Sequence, residues 1–373
     1  MTSLRTPWPV AAICTIVLAS FSSGLSQQER ESAAPARLDR TNLLLYRDAK
    51  GQIRLVTSKS DWQKRRTEIL RGMQEVMGPL PDKTRRQPPK VLIEEATDCG
   101  SYVRQLITYE SEPGSHVPAY LLIPNAARKG RKQFPAVLAL HSTDMQFGHR
   151  VLVEQVNKNY RAYADELAKR GFIVLAPAYP LMANYQPDLK ALGYESGTMK
   201  AIWDNLRGLD LLDSLPYVKR GRYGALGHSL GGHNAIYTAV FDQRIKVIVS
   251  SCGFDSFLDY YGGDPKNWQL ERGWCQMRYM PRLAEYRGRL EEIPFDFHEL
   301  IGALAPRSGF VNAPLGDSNF QWRSVDAIVQ AASPVYRLHQ AEKHLVVEHP
   351  DTGHDFPEAQ REQAYRLLAE TLR

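Results

Sequence analysis

Apolar positions change period along the chain. Over 60–78 they recur at helical spacing, with Trp62, Ile69, Leu70, Met73, Val76 and Met77 on one side of the pattern. Ser60 and Gln63 read as a capping box, and Gly78-Pro79 stops the run. A basic, proline-rich connector fills 81–89. Beyond it the pattern turns strand-like at 91–95, 102–109 and 119–123, with turn residues such as Pro113-Gly114 between the runs. From 136 onward, strands and helices alternate. Strands are expected at 136–140, 172–176, 222–226, 245–250, 309–313 and 344–348. Helices are expected near 157–170, at 197–215, beyond Ser229, at 325–338 and from Pro357. Alternation of this kind calls for an α/β fold, a mostly parallel sheet with helices on both faces. The earlier β segments add antiparallel strands at one edge.

Two segments break the rhythm. Residues 253–306 mix Phe254, Phe257, Tyr260, Tyr261, Trp268, Trp274 and Tyr279 with Gly, Pro and charges. This reads as an insertion over the carboxyl ends of the strands, where ligands bind in such sheets. At the N-terminus, Arg5, the uncharged apolar run 10–21 and the small residues Gly24 and Ser26 resemble an export signal cleaved before Gln27. The apolar run is shorter than the ~20 residues a spanning helix needs. The expected organisation is therefore a signal peptide at 1–26, a lead-in with one helix at 27–90, and a catalytic domain at 91–373. The mature protein is expected to be secreted or periplasmic, without a membrane anchor.

Composition changes this picture little. Net charge is +6, but the basic residues are scattered, and the runs at 64–66 and 128–132 read as solvated surface rather than a nucleic-acid footprint. Without the leader, which holds Cys14, three cysteines remain: Cys99, Cys252 and Cys275. They allow at most one bridge in an oxidising compartment, and Cys252, ending an apolar run, reads as a buried thiol.

The chemistry lies in 227–231, Gly-His-Ser-Leu-Gly, which follows a strand-like run and opens a helix. Glycines on both sides let the chain turn sharply enough to present a serine at the strand's end. The new helix aims free amides at a developing oxyanion. Ser229 is thus the expected nucleophile. Its base is expected to be His354, in a loop between the last strand and the last helix. His228, beside the serine, is held by the turn. His344, His349 and His354 recur every five residues, which suits neither one helix face nor one strand face, so a metal cluster is not expected. In a fold with this elbow the acid lies between serine and histidine in the chain. Asp317 ends the 309–313 strand in that interval. Asp351 and Asp355 share the histidine's own tight loop. For the oxyanion hole, the Leu230 amide follows the nucleophile directly, and the second donor is expected from 141–143, with Thr143 ahead of Ser142.

Gly-His-Ser-Leu-Gly-Gly at 227–232, Ala-Pro-Leu-Gly-Asp at 313–317 and Gly-His-Asp-Phe-Pro at 353–357 together resemble the α/β-hydrolase superfamily. More narrowly, the chain is similar to the acetyl xylan esterase, dienelactone hydrolase and prolyl-oligopeptidase-like group. Residues 117–124, followed by a strand ending in His141, resemble the lead-in of bacterial acetyl xylan esterases. His141-Ser142 stands where that group usually has His-Gly.

The resemblance implies a serine carboxylic ester hydrolase that acts through an acyl-enzyme on an acylated carbohydrate or other small ester. Trp268, Trp274, Tyr260 and His228 are candidate substrate contacts, although most aromatics of the insertion are expected to pack it onto the sheet. A secreted peptidase or amidase with the same triad is the alternative, and a non-catalytic binding protein on this scaffold is a third reading. No metal or organic cofactor is expected.

Overall fold

A computed structural model describes Met1 and residues 37–130, 132–154 and 162–373. The expected leader run at 10–21 and its cleavage site lie outside the described residues, as does the first part of the expected 157–170 helix. No described helix is long and apolar enough to cross a membrane.

Among the described residues, nine strands form the main sheet, in the order β11-β10-β9-β8-β6-β7-β5-β4-β3. Strands β3 (Val91–Asp98), β4 (Tyr102–Glu112) and β5 (Ser115–Pro124) are the antiparallel edge foreseen from the sequence. The rest run parallel: β6 (Phe134–Leu140), β7 (Ile173–Pro177), β8 (Val218–His228), β9 (Ile245–Ser251), β10 (Ser308–Asn312) and β11 (Leu345–Glu348). A small hairpin of β1 (Leu45–Arg47) and β2 (Ile53–Leu55) in the lead-in was not foreseen; strands of three residues leave too little alternation to read.

The central parallel strands read as unbroken apolar runs because both faces are covered. Helices α4 (Gly197–Ser214) and α5 (Leu230–Phe241) contribute to the core on one face, and α3 (Tyr163–Lys169) and α8 (Glu358–Leu372) to the core on the other. Helix α1 (Lys59–Met77) buries Trp62, Ile69 and Met73, as its period requires. Its cap is Ser58 rather than Ser60: the Ser58 hydroxyl accepts the Asp61 amide at 3.1 Å, and Asp61 places a carboxylate in the first turn. Gly78, at φ 86°, ends the helix.

The 64–66 run departs from the solvated surface expected of it. Arg65 is buried against Glu299 at 3.2 Å, and Arg66 donates to the Val240 carbonyl. The partner of Arg65 is more than two hundred residues away, so no local pattern announced it.

Inside 253–306 the chain adds a helix that its aromatic density concealed, α6 (Phe297–Leu304), with a complete capping box from Asp296 and Glu299. Asp296 also accepts from the Ser256 hydroxyl at 2.7 Å and the Phe257 amide at 3.1 Å, and is paired with Arg40. A buried carboxylate with this many donors fastens the start of α6 to both the lead-in and the first residues of the segment. Phe254, Phe257, Phe295 and Phe297 pack beneath it. The described residues also form α2 (Asn125–Lys129) and α7 (Trp322–Leu338).

Candidate active site

Strand β8 and helix α5 meet at Ser229, whose backbone lies at φ 54°, ψ −123°. This conformation is strained for a residue with a Cβ. It persists because the surroundings leave no alternative. A Cβ at Gly227 would run into the Gly231 backbone, and one at Gly231 into the Leu140 carbonyl. The Ser229 amide donates to the Ser251 carbonyl at 2.8 Å, tying the turn to β9. Leu230 is the first residue of α5, so its amide is one of those a helix leaves without an internal acceptor.

His354 and Asp317 are brought together although 37 positions separate them. His354 Nδ1 lies 2.9 and 3.0 Å from the two Asp317 carboxylate oxygens. The two loops that carry them are laced by backbone bonds: Ala313 to Glu348 at 2.9 Å, Leu315 to Pro350 at 3.0 Å and Gly316 to Thr352 at 2.9 Å. Burial pushes the Asp317 carboxyl up, but the hydrogen bond and charge of His354, the Asn319 amide and the Cys252 thiol outweigh it and leave the group below its ordinary range. Asp317 is thereby held as a carboxylate. With Nδ1 facing Asp317, the imidazole has Nε2 left for proton exchange. Among the described residues no hydrogen bond joins the Ser229 hydroxyl to His354; a cavity of about 610 Å³ unites them, lined by Ser142, Thr143, Ser229, Leu230 and His354.

The 141–143 segment is organised by a buried histidine. His141 Nε2 accepts the Tyr179 amide at 2.9 Å, which makes Nδ1 the protonated nitrogen that donates to the Ser142 carbonyl at 2.7 Å. Burial lowers this imidazole's pKa to about 4, so it stays neutral. Ser142, in place of the usual glycine, donates its hydroxyl to the His228 carbonyl at 3.1 Å. The Thr143 hydroxyl meets the Tyr279 hydroxyl at 3.0 Å.

The stretch 116–339 matches the family model described as glucuronyl esterase of fungi, a span that includes Ser229 and Asp317 and stops short of His354. The chain belongs to the glucuronyl esterase family. Its relatives include YtaP of Bacillus subtilis, named only as a hydrolase, 27% identical over 82% of this chain and all of that protein. Among solved structures, a glucuronoyl esterase from Solibacter usitatus superposes with a TM-score of 0.70 at 20% identity, covering 90% of this chain and 98% of its own. The glucuronoyl esterase catalytic domain of Hypocrea jecorina gives 0.60 at 16%, with 91% of each chain covered. The protein is an α/β-hydrolase esterase, as its motifs implied.

Behind the cavity of the esterase lie two residues whose place beside His354 and Asp317 sequence reasoning did not find. Asn312, fully buried at the end of β10, donates to the Ser251 hydroxyl at 2.8 Å and to the Asp355 carbonyl at 2.9 Å. A lone amide ending an apolar strand was its available signal. Cys252, at φ 47°, lies with Asp317 and His354 so that one ligand atom of each falls within 4.8 Å of the others. Burial and the Asp317 carboxylate hold its thiol well above the usual range. Cys252 is buried, as expected, and no bridge forms among Cys99, Cys252 and Cys275.

Of the aromatic candidates, Trp274 and Tyr260 line the cavity of the esterase, as does His228, whose ring centre is 4.9 Å from that of His354. Trp268 does not. It is buried behind Tyr260 and against Phe257, so its expected contact with substrate is corrected to a packing role. The aromatic density of the insertion could not tell the inner layer from the wall. Phe320, Asn319 and Gln276 also line the cavity, and its described lining holds no Asp, Glu, Lys or Arg.

Proposed function

We propose that the chain hydrolyses a carboxylic ester carried by a carbohydrate, with Ser229 as nucleophile, His354 as general base and Asp317 as the acid that orients it. The hydrogen bond between His354 Nδ1 and Asp317, made at the rim of a cavity shared with Ser229, carries this reading. Ser229 Oγ attacks the ester carbonyl as His354 Nε2 takes its proton. The tetrahedral oxyanion is met by the Leu230 amide at the start of α5 and by an amide of the 142–143 segment. His354 then protonates the leaving alcohol as the C–O bond breaks. Water, deprotonated by the same ring, attacks the acyl-enzyme and returns the free acid and Ser229.

The family and its neighbours are named for glucuronoyl esters, and such an ester is the first substrate to test. The uncharged lining supports a neutral ester, and Trp274, Tyr260 and Phe320 give the cavity an aromatic wall against which a sugar could pack. The test is a panel of a methyl glucuronoyl ester, an acetylated sugar and a short peptide amide, run with wild type and Ser229→Ala. Turnover of a sugar ester, lost with fluorophosphonate labelling in Ser229→Ala, is expected. Retained turnover in that variant would remove the mechanism, and preference for the amide would replace the substrate class.

A further inference from the structure

Strands β8 to β11 run parallel, so their amino ends form a second rim, at the edge of the sheet away from Ser229, Asp317 and His354. A cavity of about 490 Å³ opens there, lined by six basic side chains: Arg66, Arg222, Lys246, Arg307, His339 and His344. No Asp or Glu stands among its described lining residues. Asp242 is near enough to act on Lys246 and Arg307, but its carboxylate is held by Arg244 at 2.6 Å.

Part of this basicity serves the fold. Arg307 donates to the carbonyls of Ala239 at 2.8 Å, Ile245 at 3.0 Å and Asp242 at 3.2 Å, and Arg66 to that of Val240. Arg222 donates to the Thr371 carbonyl at 2.5 Å and Lys246 to that of Gln243 at 2.7 Å. Cations at helix C-termini complement the dipole there. Carbonyls supply partial charges, however, and the cations still act on one another. After burial, Arg66 depresses Arg307, whose pKa falls to about 10, and Arg307 and Arg222 depress Lys246. His339 adds a buried Nε2 without a hydrogen-bond partner.

We infer that this cavity is a binding site for a multivalent oxyanion, separate from the active site. An anion with several oxygens would meet Lys246, Arg222 and the His339 ring together and offset the repulsion between Arg222 and Lys246. Two sources share this chemistry, free inorganic phosphate and the carboxylates of an acidic oligosaccharide. The volume exceeds what one phosphate fills and favours the oligosaccharide. The inference does not rest on the esterase reading.

Calorimetric titration of the full chain with trigalacturonate and with inorganic phosphate tests it. At least one probe should bind wild type, more weakly as salt rises, and lose affinity at least tenfold in Lys246→Gln and further in Arg222→Gln/Lys246→Gln. Arg66 and Arg307, which are less exposed than Arg222, are left intact. Hydrolysis of a small ester should be unchanged in both variants, which shows that they fold. The probe that binds identifies the source. Absence of binding by both probes, or equal binding by wild type and the double variant, would overturn the site.

Discussion

Asn312 donates its side-chain amide to the backbone carbonyl of Asp355, at 2.9 Å, and so joins the end of β10 to the residue after His354. The same amide reaches the Ser251 hydroxyl, which in turn lies 3.0 Å from His228 Nδ1. One buried side chain thus adds a direct link between the strand end beside Ser229 and the loop of His354. Asn312→Ala is expected to cost about 1–3 kcal/mol of stability, because buried partners are left unpaired. It should lower kcat/KM roughly tenfold, equivalent to about 1.4 kcal/mol of lost positioning. Steady-state kinetics beside a denaturant titration would check this; unchanged kinetics in a destabilised variant would assign Asn312 to the fold alone.

Asp317→Asn keeps the side chain's size but removes the charge that orients His354 and stabilises its protonated form. A fall in kcat on the order of 10³-fold or more is expected, with little change in KM. Burst kinetics with an activated ester would show whether acylation is the step that slows. Near-normal kcat would mean that another carboxylate serves His354.

Trp274 and Trp268 are both nearly buried, and they should respond differently. Trp274→Ala is expected to raise KM for a sugar ester roughly fivefold, corresponding to about 1 kcal/mol of aromatic contact, while a small aryl acetate is affected less. Trp268→Ala should destabilise by about 3–5 kcal/mol and leave KM near wild type in the folded fraction. Equal KM effects from the two would contradict the separation of wall from packing layer.

Asp255 gives the fold a pH dependence of definite sign. Burial, then the nearby carboxylates Asp259, Asp296 and Asp317, push its pKa to about 8, against a Gln321 amide that draws it down. Between the ordinary value of 3.8 and about 8 the folded protein keeps a proton that the unfolded chain has lost. The contribution of this group to stability therefore falls as pH rises through that window, by at most about 1.4 kcal/mol per pH unit. Asp255→Asn removes this titration, so its thermal midpoint should gain on wild type steadily from pH 5 to pH 8. A difference independent of pH would mean that Asp255 is ionised throughout.

Much of this protein was written in local pattern. Alternating strands and helices implied the covered parallel sheet, and the small residues around Ser229 implied a sharp turn, because chain period and backbone sterics act over a few residues. The order of Ser229, Asp317 and His354 along the chain was legible for the same reason: each closes a strand at the same rim. Tertiary structure alone decided what depends on distant partners. It set Asn312 between two loops, Arg65 against Glu299, Trp274 on the cavity wall with Trp268 behind it, and six basic side chains around one cavity at the far rim. Their partners arrive from segments far apart in sequence, and burial and electrostatic pairing are properties of the packed molecule, with no period along the chain to reveal them.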